Sequence, residues 1–264
     1  MPAFATTTLS VAGADLSAVA RSGDQPALVF LHYWGGSKRT WQPVIDRLPA
    51  TTAVLAYDQR GWGGSAGAPG PYGLAQLAAD AEHVLAGLGY DRVVLVGHSM
   101  GGKVAQMVAA RRPRGLVGLV LVAPAPAAPA AMTAQLQELT SRAYDDEQAV
   151  QQSVDHMLTE IALPADVRRQ IVEDSLSAGD EAKYSWPTTG LAQDVSAGVG
   201  AIGVPTLIVA GEHDKVEPPA LLRAHVLSLI PQATMTVLAG TGHLSPLEVP
   251  DQVAAAITEF TAAL

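Results

Sequence analysis

The sequence predicts an α/β fold: a mainly parallel, eight-stranded sheet with helices on both faces and a helical cap inserted after the sixth strand. Three observations lead there. Short β-branched apolar runs alternate with helix-period segments up to residue 124, and the alternation resumes near residue 204, as strand–helix–strand units require. Between about residues 125 and 199 the apolar positions are spaced as helices and no strand pattern recurs. At residues 93–106, VVLVGHSMGGKVAQ, an apolar strand runs through a glycine-flanked serine straight into a helix. The expected organisation is a core of residues 1–124 and 200–264 interrupted by a cap of residues 125–199.

Thr6 to Val11 and Leu16 to Arg21 are alternating runs split by Ala12-Gly13-Ala14-Asp15, an antiparallel hairpin for the sheet edge. Ala27 to His32 reads as a buried strand entering Tyr33-Trp34-Gly35-Gly36-Ser37, with a helix from about Lys38 to Leu48. Thr52 to Tyr57 is the next strand. Its glycine-rich exit, Asp58 to Ser65, contains Asp58 and Arg60, which are read as pins of the loop. Leu74 to Leu88 carries an apolar stripe at helical spacing, leaving His83 on the solvent face. Strand Val93 to Val96, helix Lys103 to Ala110 and strand Leu116 to Val122 follow. The cap helices are Met132 to Leu139, Ala149 to Ile161 and Pro164 to Ser177. Strands Val204 to Ala210 and Thr234 to Ala239 complete the sheet.

Composition narrows the function classes. With 16 Lys and Arg against 25 Asp and Glu, the net charge of -9 repels phosphate backbones and anionic lipid, so nucleic acid and membrane surfaces are not expected partners. Zero Cys excludes disulfides, thiolate metal sites and cysteine nucleophiles. Residues 1–21 have no basic residue before Arg21 and no continuous apolar run; the expectation is no secretory signal and a cytoplasmic location. The uncharged run 115–137 contains Pro124, Pro126 and Pro129, which would break a membrane helix. Self-association into a homo-oligomer stays open.

The chemistry centres on Ser99. A turn that joins a strand directly to a helix through Gly97-His98-Ser99-Met100-Gly101 needs residues without side chains two before and two after the serine, and it pushes the hydroxyl out at its tip. This is the strand–turn–helix context of a nucleophile elbow. A second copy of the pattern, Gly63-Gly64-Ser65-Ala66-Gly67, is followed by Ala68-Pro69-Gly70-Pro71 and cannot open a helix, so Ser65 is read as a turn serine. Gly97, Gly102 and Lys103 also satisfy a phosphate-loop pattern, but Val104 stands where the magnesium-binding hydroxyl belongs.

A serine hydroxyl needs a neutral imidazole to take its proton and a carboxylate to orient that imidazole. His243 follows the last strand and Asp214 follows the one before it, on the same edge as Ser99. Glu212 and Glu217 are rival acids; Asp214 is preferred because it falls in a tight turn just past its strand, whereas Glu217 is read as beginning the next helix. His32 is read as a structural group, His98 as pointing away from the nucleophile, and His156, His213 and His225 lack metal spacing, so neither metal nor cofactor is expected.

The segments FLHYWGGS (30–37), YDQRGWGGS (57–65), VGHSMGGKVAQ (96–106), IVAGEHDKV (208–216) and GTGHLSPLEVP (240–250) together resemble the serine-dependent α/β-hydrolase superfamily, and within it the small esterases and cofactor-free haloperoxidase-like hydrolases. The resemblance covers nearly the whole chain. It implies an oxyanion hole from the backbone N–H groups of Trp34 and Met100, although Tyr33 stands where the family usually has Gly. Ser99 argues against relatives that use Asp there, the haloalkane dehalogenases and epoxide hydrolases. Gly35, where perhydrolase-like members have Pro, disfavours peracid synthesis. The activity implied is cleavage of a small, hydrophobic carboxylic ester or lactone. Carbon–carbon bond hydrolysis or a lyase reaction in the same fold, and a ligand-binding or receptor protein with little turnover, are the alternatives. Tyr33, Trp34, Met157 and Trp186 are the expected substrate-binding residues.

Overall fold

The computed structural model describes residues 4–264. β1 (Ala5–Val11) and β2 (Ala14–Arg21) form the antiparallel edge hairpin, turning through Gly13 at φ +75. The remaining strands, β3 (Asp24–Leu31), β4 (Thr52–Tyr57), β5 (Val93–His98), β6 (Leu116–Val122), β7 (Thr206–Gly211) and β8 (Ala233–Leu238), run parallel in the order β1-β2-β4-β3-β5-β6-β7-β8. The chain therefore reverses its direction of travel across the sheet between β3 and β5. Such a reversal opens a crevice at the carboxyl ends of the strands.

α1 (Gln42–Ile45), α2 (Leu74–Gly87) and α3 (Met100–Ala110) follow β3, β4 and β5. Between β6 and β7 every regular element is helical: α4 (Ala134–Ser141), α5 (Glu147–Ser153), α6 (Ala165–Leu176) and α7 (Asp180–Ser185), with single π-helical turns at Val154–Leu158 and Trp186–Gly190. α8 (Pro219–His225), α9 (Ser245–Glu248) and α10 (Pro250–Ala262) complete the fold. Strand alternation divides the core. Val94 and Val96 face the layer of Trp41, Val44, Val253 and Ile257, while Val93 and Leu95 face Leu77, Val104, Val108 and the helical insert. Among the described residues no helix is long and apolar enough to cross a membrane.

The helix expected over Lys38 to Leu48 is broken in two. A 3₁₀ turn, Lys38–Trp41, capped by Ser37 Oγ on the Arg39 N–H, precedes the short α1, where Pro43 sits in the first turn. The helix expected over Ala149 to Ile161 stops at Leu158, where the Thr159 N–H returns to the Val154 carbonyl. α7 and the π turn after it had no counterpart in the sequence pattern, since Pro187 and Gly190 obscure the period. Glu217 does not begin a helix: α8 starts two residues later, at Pro219.

The β5–α3 junction is set by close backbone approach. A Cβ on Gly97 would lie 2.4 Å from the Gly101 carbonyl oxygen, and one on Gly101 would lie 2.6 Å from that of His32. Two glycines thus let α3 start directly against the end of β3. Ser99, between them, takes φ 52 and ψ -114. Its backbone is anchored on both sides: its N–H donates to Val122 O, and its carbonyl accepts from Lys103 and Ala125.

The neighbouring loops are pinned by buried polar groups. Asp58 accepts from the Lys38 N–H, the Lys38 ammonium and the Gly64 N–H. Ser65 donates to Asp58 O and accepts the Ser17 N–H, which accounts for the second serine motif structurally. Arg60 makes a two-point, fully buried pair with Asp80. His32 donates from Nδ1 to Tyr33 O at 2.7 Å and accepts the Gln59 N–H at Nε2, so the ring is neutral; burial lowers its pKa to about 4.

Two measurements test this packing. Gly97→Ala should lower unfolding stability by about 2–3 kcal/mol, whereas Gly87→Ala, with open space around its Cβ, should lose nothing; equal stabilities would mean that the elbow tolerates a side chain. His32 stabilises fully above about pH 6.5, where both states hold neutral imidazole, and this contribution is lost as pH falls through about 4. Urea unfolding of His32→Asn between pH 6.5 and 5 should therefore depend on pH less steeply than wild type, by up to one proton or about 1.4 kcal/mol per pH unit. Parallel slopes would refute a neutral, proton-excluding His32.

Candidate active site

Strands β3, β5, β7 and β8 bring four loops to one rim. The turn after β3 is closed by the Gly36 N–H on Tyr33 O at 3.0 Å, with Gly35 at φ +89. This is the geometry of a type II turn, which needs glycine at its third position. Among the described residues neither the Trp34 N–H nor the Met100 N–H meets an acceptor. For Met100 the reason is general: the first N–H groups of a helix have no intrahelical partner.

The loops after β7 and β8 are locked together. Gly211 lies so close to the second loop that a Cβ would fall 2.2 Å from Gly242 O, and the His213 N–H donates to Thr241 O. This contact seats Asp214 against His243. His243 Nδ1 donates to Asp214 Oδ2 at 2.9 Å, and Asp214 Oδ1 accepts the N–H groups of Val216 and Glu217 at 2.8 and 2.9 Å. Burial acts to raise the Asp214 pKa, but the charge and hydrogen bond of His243, with the two backbone bonds, outweigh it and hold the carboxyl below its ordinary range. An imidazole bound this way at Nδ1 keeps Nε2 as an acceptor. Asp214 and His243 are 3 % and 2 % exposed, whereas Ser99 retains a small opening at 8 %.

Glu217 supplies a backbone donor to Asp214. Its own carboxyl is buried beside that carboxylate; burial first, then the Asp214 charge, raises its pKa well above the usual range. A carboxylic acid held protonated is a poor partner for an imidazolium. Lys103 is 1 % exposed, its Nζ 3.3 Å from Leu191 O and 3.5 Å from Ala128 O. Buried under the helical insert, it has no opening to a phosphate, and burial lowers its pKa to about 8.

His98 was not recognised from the sequence as part of the site. It is buried, its Nε2–H donates to the His243 carbonyl at 2.9 Å, and its ring lies 5.2 Å from that of His243. Burial is the main reason its pKa falls to about 3, so it remains a neutral strut. Glu248 is a second such group: its carboxylate accepts the Gly242 N–H and those of Glu160 and Ile161, tying the His243 loop to the insert. The signal for His98 was its place beside Ser99. Glu248 had none for its tie to the insert, because Glu160 and Ile161 are distant in sequence.

The expected substrate-contacting residues separate. Trp186 is buried and lines a hollow with Met100, Trp62, Leu74, Leu77, Tyr72 and Ser185, apolar side chains with a few polar groups among them. The hollow is narrow, a cavity of about 10 Å³, room for about one water. Tyr33 and Met157 do not line it: Tyr33 packs on the His98 ring at 5.2 Å, and Met157 is 48 % exposed. Trp34 stacks on Tyr144 at 4.1 Å and donates from Nε1 to Lys183 O. A larger surface groove, between Arg47 and α10, contains none of the rim residues. Among the described residues no cluster of His, Asp and Glu could hold a metal.

Residues 28–256 match the model of the alpha/beta hydrolase family. The chain is 30 % identical over 244 residues to 3-oxoadipate enol-lactonase 2 of Acinetobacter baylyi, covering 86 % of this chain and 85 % of that one. It is 28 % identical over 248 residues to the biotin biosynthesis bifunctional protein BioHC of Cellvibrio japonicus, covering 89 % of this chain but only 47 % of that longer protein. In fold it is similar to the esterase EaEST of Exiguobacterium antarcticum, with a TM-score of 0.85 at 20 % identity over 99 % of this chain and 100 % of that one. A family match across most of its length, over an eight-stranded sheet with the serine turn on its rim, makes this chain a member of the alpha/beta hydrolase family.

Proposed function

We propose that the protein hydrolyses a carboxylic ester or lactone through an acyl-enzyme on Ser99, with His243 as the base and Asp214 as the group that orients it. The buried Asp214–His243 hydrogen bond, on the sheet edge where Ser99 stands in its strained turn, carries this reading. As Ser99 Oγ attacks the carbonyl carbon, its proton passes to His243 Nε2 and Asp214 stabilises the imidazolium. The N–H groups of Trp34 and Met100 receive the oxyanion. Collapse breaks the bond to the leaving oxygen, which takes the proton from Nε2; from a lactone the new alcohol stays attached to the acyl group. Water then gives its proton to Nε2, attacks the acyl carbon and releases the acid, restoring Ser99.

The similarity to a relative named for enol-lactone cleavage supports the lactone arm. Residues 125–199 serve as the cap that selects the substrate. The Trp62, Leu74, Leu77 and Trp186 side chains of the hollow beside Met100 favour a hydrophobic group, each buried methylene contributing about 0.8 kcal/mol. Its small open space means that even a short alkyl chain enters only if Trp186 moves.

A serine-directed phosphonate should add its mass at Ser99, and Ser99→Ala should cut turnover of p-nitrophenyl esters or lactones by up to about 10⁶-fold. Labelling at Ser65 instead would overturn the assignment. Asp214→Asn should cost about 10⁴-fold in kcat, whereas Glu217→Gln, which mimics an acid already protonated, should stay within about tenfold; the reverse order would move the acid to Glu217. Trp186→Ala should shift the chain-length optimum to longer acyl groups, while Met157→Ala leaves it in place. An unchanged profile in Trp186→Ala would separate the hollow from substrate choice.

A further inference from the structure

The turn that carries the Trp34 N–H is held from the helical insert as well as from its own strand. Tyr33 O is occupied by His32 Nδ1 and the Gly36 N–H. Trp34 O accepts from the Tyr144 hydroxyl at 3.0 Å, and Gly35 O accepts from Ser175 Oγ at 3.0 Å. Both hydroxyls are buried and both belong to the insert. The ring of Tyr144 lies flat enough on Trp34, at 4.1 Å and 31°, to close one side of the turn, and a Cβ on Gly35 would fall 2.3 Å from it.

The central peptide of a turn has two states. Type I and type II differ by a rotation of about 150–170° in the two dihedrals flanking that peptide, which exchanges the directions of its C=O and N–H. In a turn that must present only N–H dipoles to a developing anion, a carbonyl free to swing would replace attraction with repulsion. Here the carbonyls of Tyr33, Trp34 and Gly35 are all engaged, two of them by cap hydroxyls.

We propose that Tyr144 and Ser175 are positioning residues of the reaction: their hydroxyls hold the Trp34 and Gly35 carbonyls toward the insert, so that no carbonyl of the turn Tyr33–Gly36 swings in beside the Trp34 N–H, and the cap completes the oxyanion site. This rests on the assignment of Ser99 and Trp34 made above. Neither residue touches the reacting atoms. Their effect is on the barrier and not on ground-state binding, because the oxyanion exists only as the bond forms.

The test compares wild type with Tyr144→Phe, which keeps the ring and removes only the hydroxyl, with Ser175→Ala, and with the double variant. On a short ester each single variant should lose about tenfold in kcat, less than the loss of an oxyanion donor outright, with KM within about twofold. Affinity for an alkyl boronic acid, which forms a tetrahedral anion on a serine oxygen, should fall in the same ratio as kcat/KM. The double variant should lose more than either single one. Unchanged kcat and boronate affinity, with only a lowered thermal midpoint, would reduce both residues to packing and overturn the proposal. Should Tyr144→Phe fold poorly, Ser175→Ala carries the same comparison through the adjacent carbonyl. Normal phosphonate labelling of Ser99 with unaffected variants defeats this inference alone; no labelling of wild type defeats it together with the assignment of Ser99.

Discussion

The constraint on which the rest of the structure depends is the distance between the start of α3 and the end of β3. Side chains at Gly97 and Gly101 would occupy space already filled by the Gly101 and His32 carbonyls. Removing them lets strand and helix meet with a single residue between, and that residue, Ser99, takes a positive φ that costs on the order of 1–3 kcal/mol. The parallel core on either side over-determines the turn: β5 is buried along its whole length, and the Ser99 backbone is bonded to β6 before it and to α3 after it. The strain persists because relaxing it would break those bonds.

At a rim assembled from loops, two neutral histidines hold backbone groups in place. His32 and His98 have backbone partners and lowered pKa values, so each acts as a rigid hydrogen-bonding strut that stays uncharged near neutral pH. Keeping them neutral matters electrostatically. A second cation beside His243 would oppose formation of an imidazolium there, whereas the Asp214 carboxylate favours it. The raised pKa of Glu217 fits the same pattern, since two carboxylates so close in a buried site do not both ionise.

The helical insert is bound to the core through specific polar contacts around the β3 turn and the His243 loop. Asp174 accepts from Ser37 and Arg39, Ser177 accepts the Gly63 N–H, and Glu248 holds the Glu160 and Ile161 N–H groups. These contacts reach the segment after β3, the loop after β4 and, through Glu248, the loop that carries His243. The insert's outward positions, Leu136 and Leu139 among them, remain exposed and make no such contacts.

The sequence by itself determined the elements that local chemistry dictates: the edge hairpin, the β-branched strands, the separation of Ser99 from Ser65, and the order Ser99, Asp214, His243, each just past the end of a strand. Periodicity and glycine spacing are local, so they can be read from the chain. The sequence pointed to Tyr33, Trp34, Met157 and Trp186 because all four are large and lie in the right segments; only tertiary packing distinguished Trp186, which lines the hollow, from Tyr33 on His98, Trp34 on Tyr144 and the half-exposed Met157. It took Glu217 for the start of a helix, where the fold instead makes its N–H a donor to Asp214. The roles of His98, Glu248, Tyr144 and Ser175 were decided by tertiary structure alone. Each acts through a hydrogen bond to a backbone group far away in sequence, Glu248 through Glu160 and Ile161, and a single chain carries no local signal for which carbonyl or N–H will lie near a side chain once the sheet has assembled.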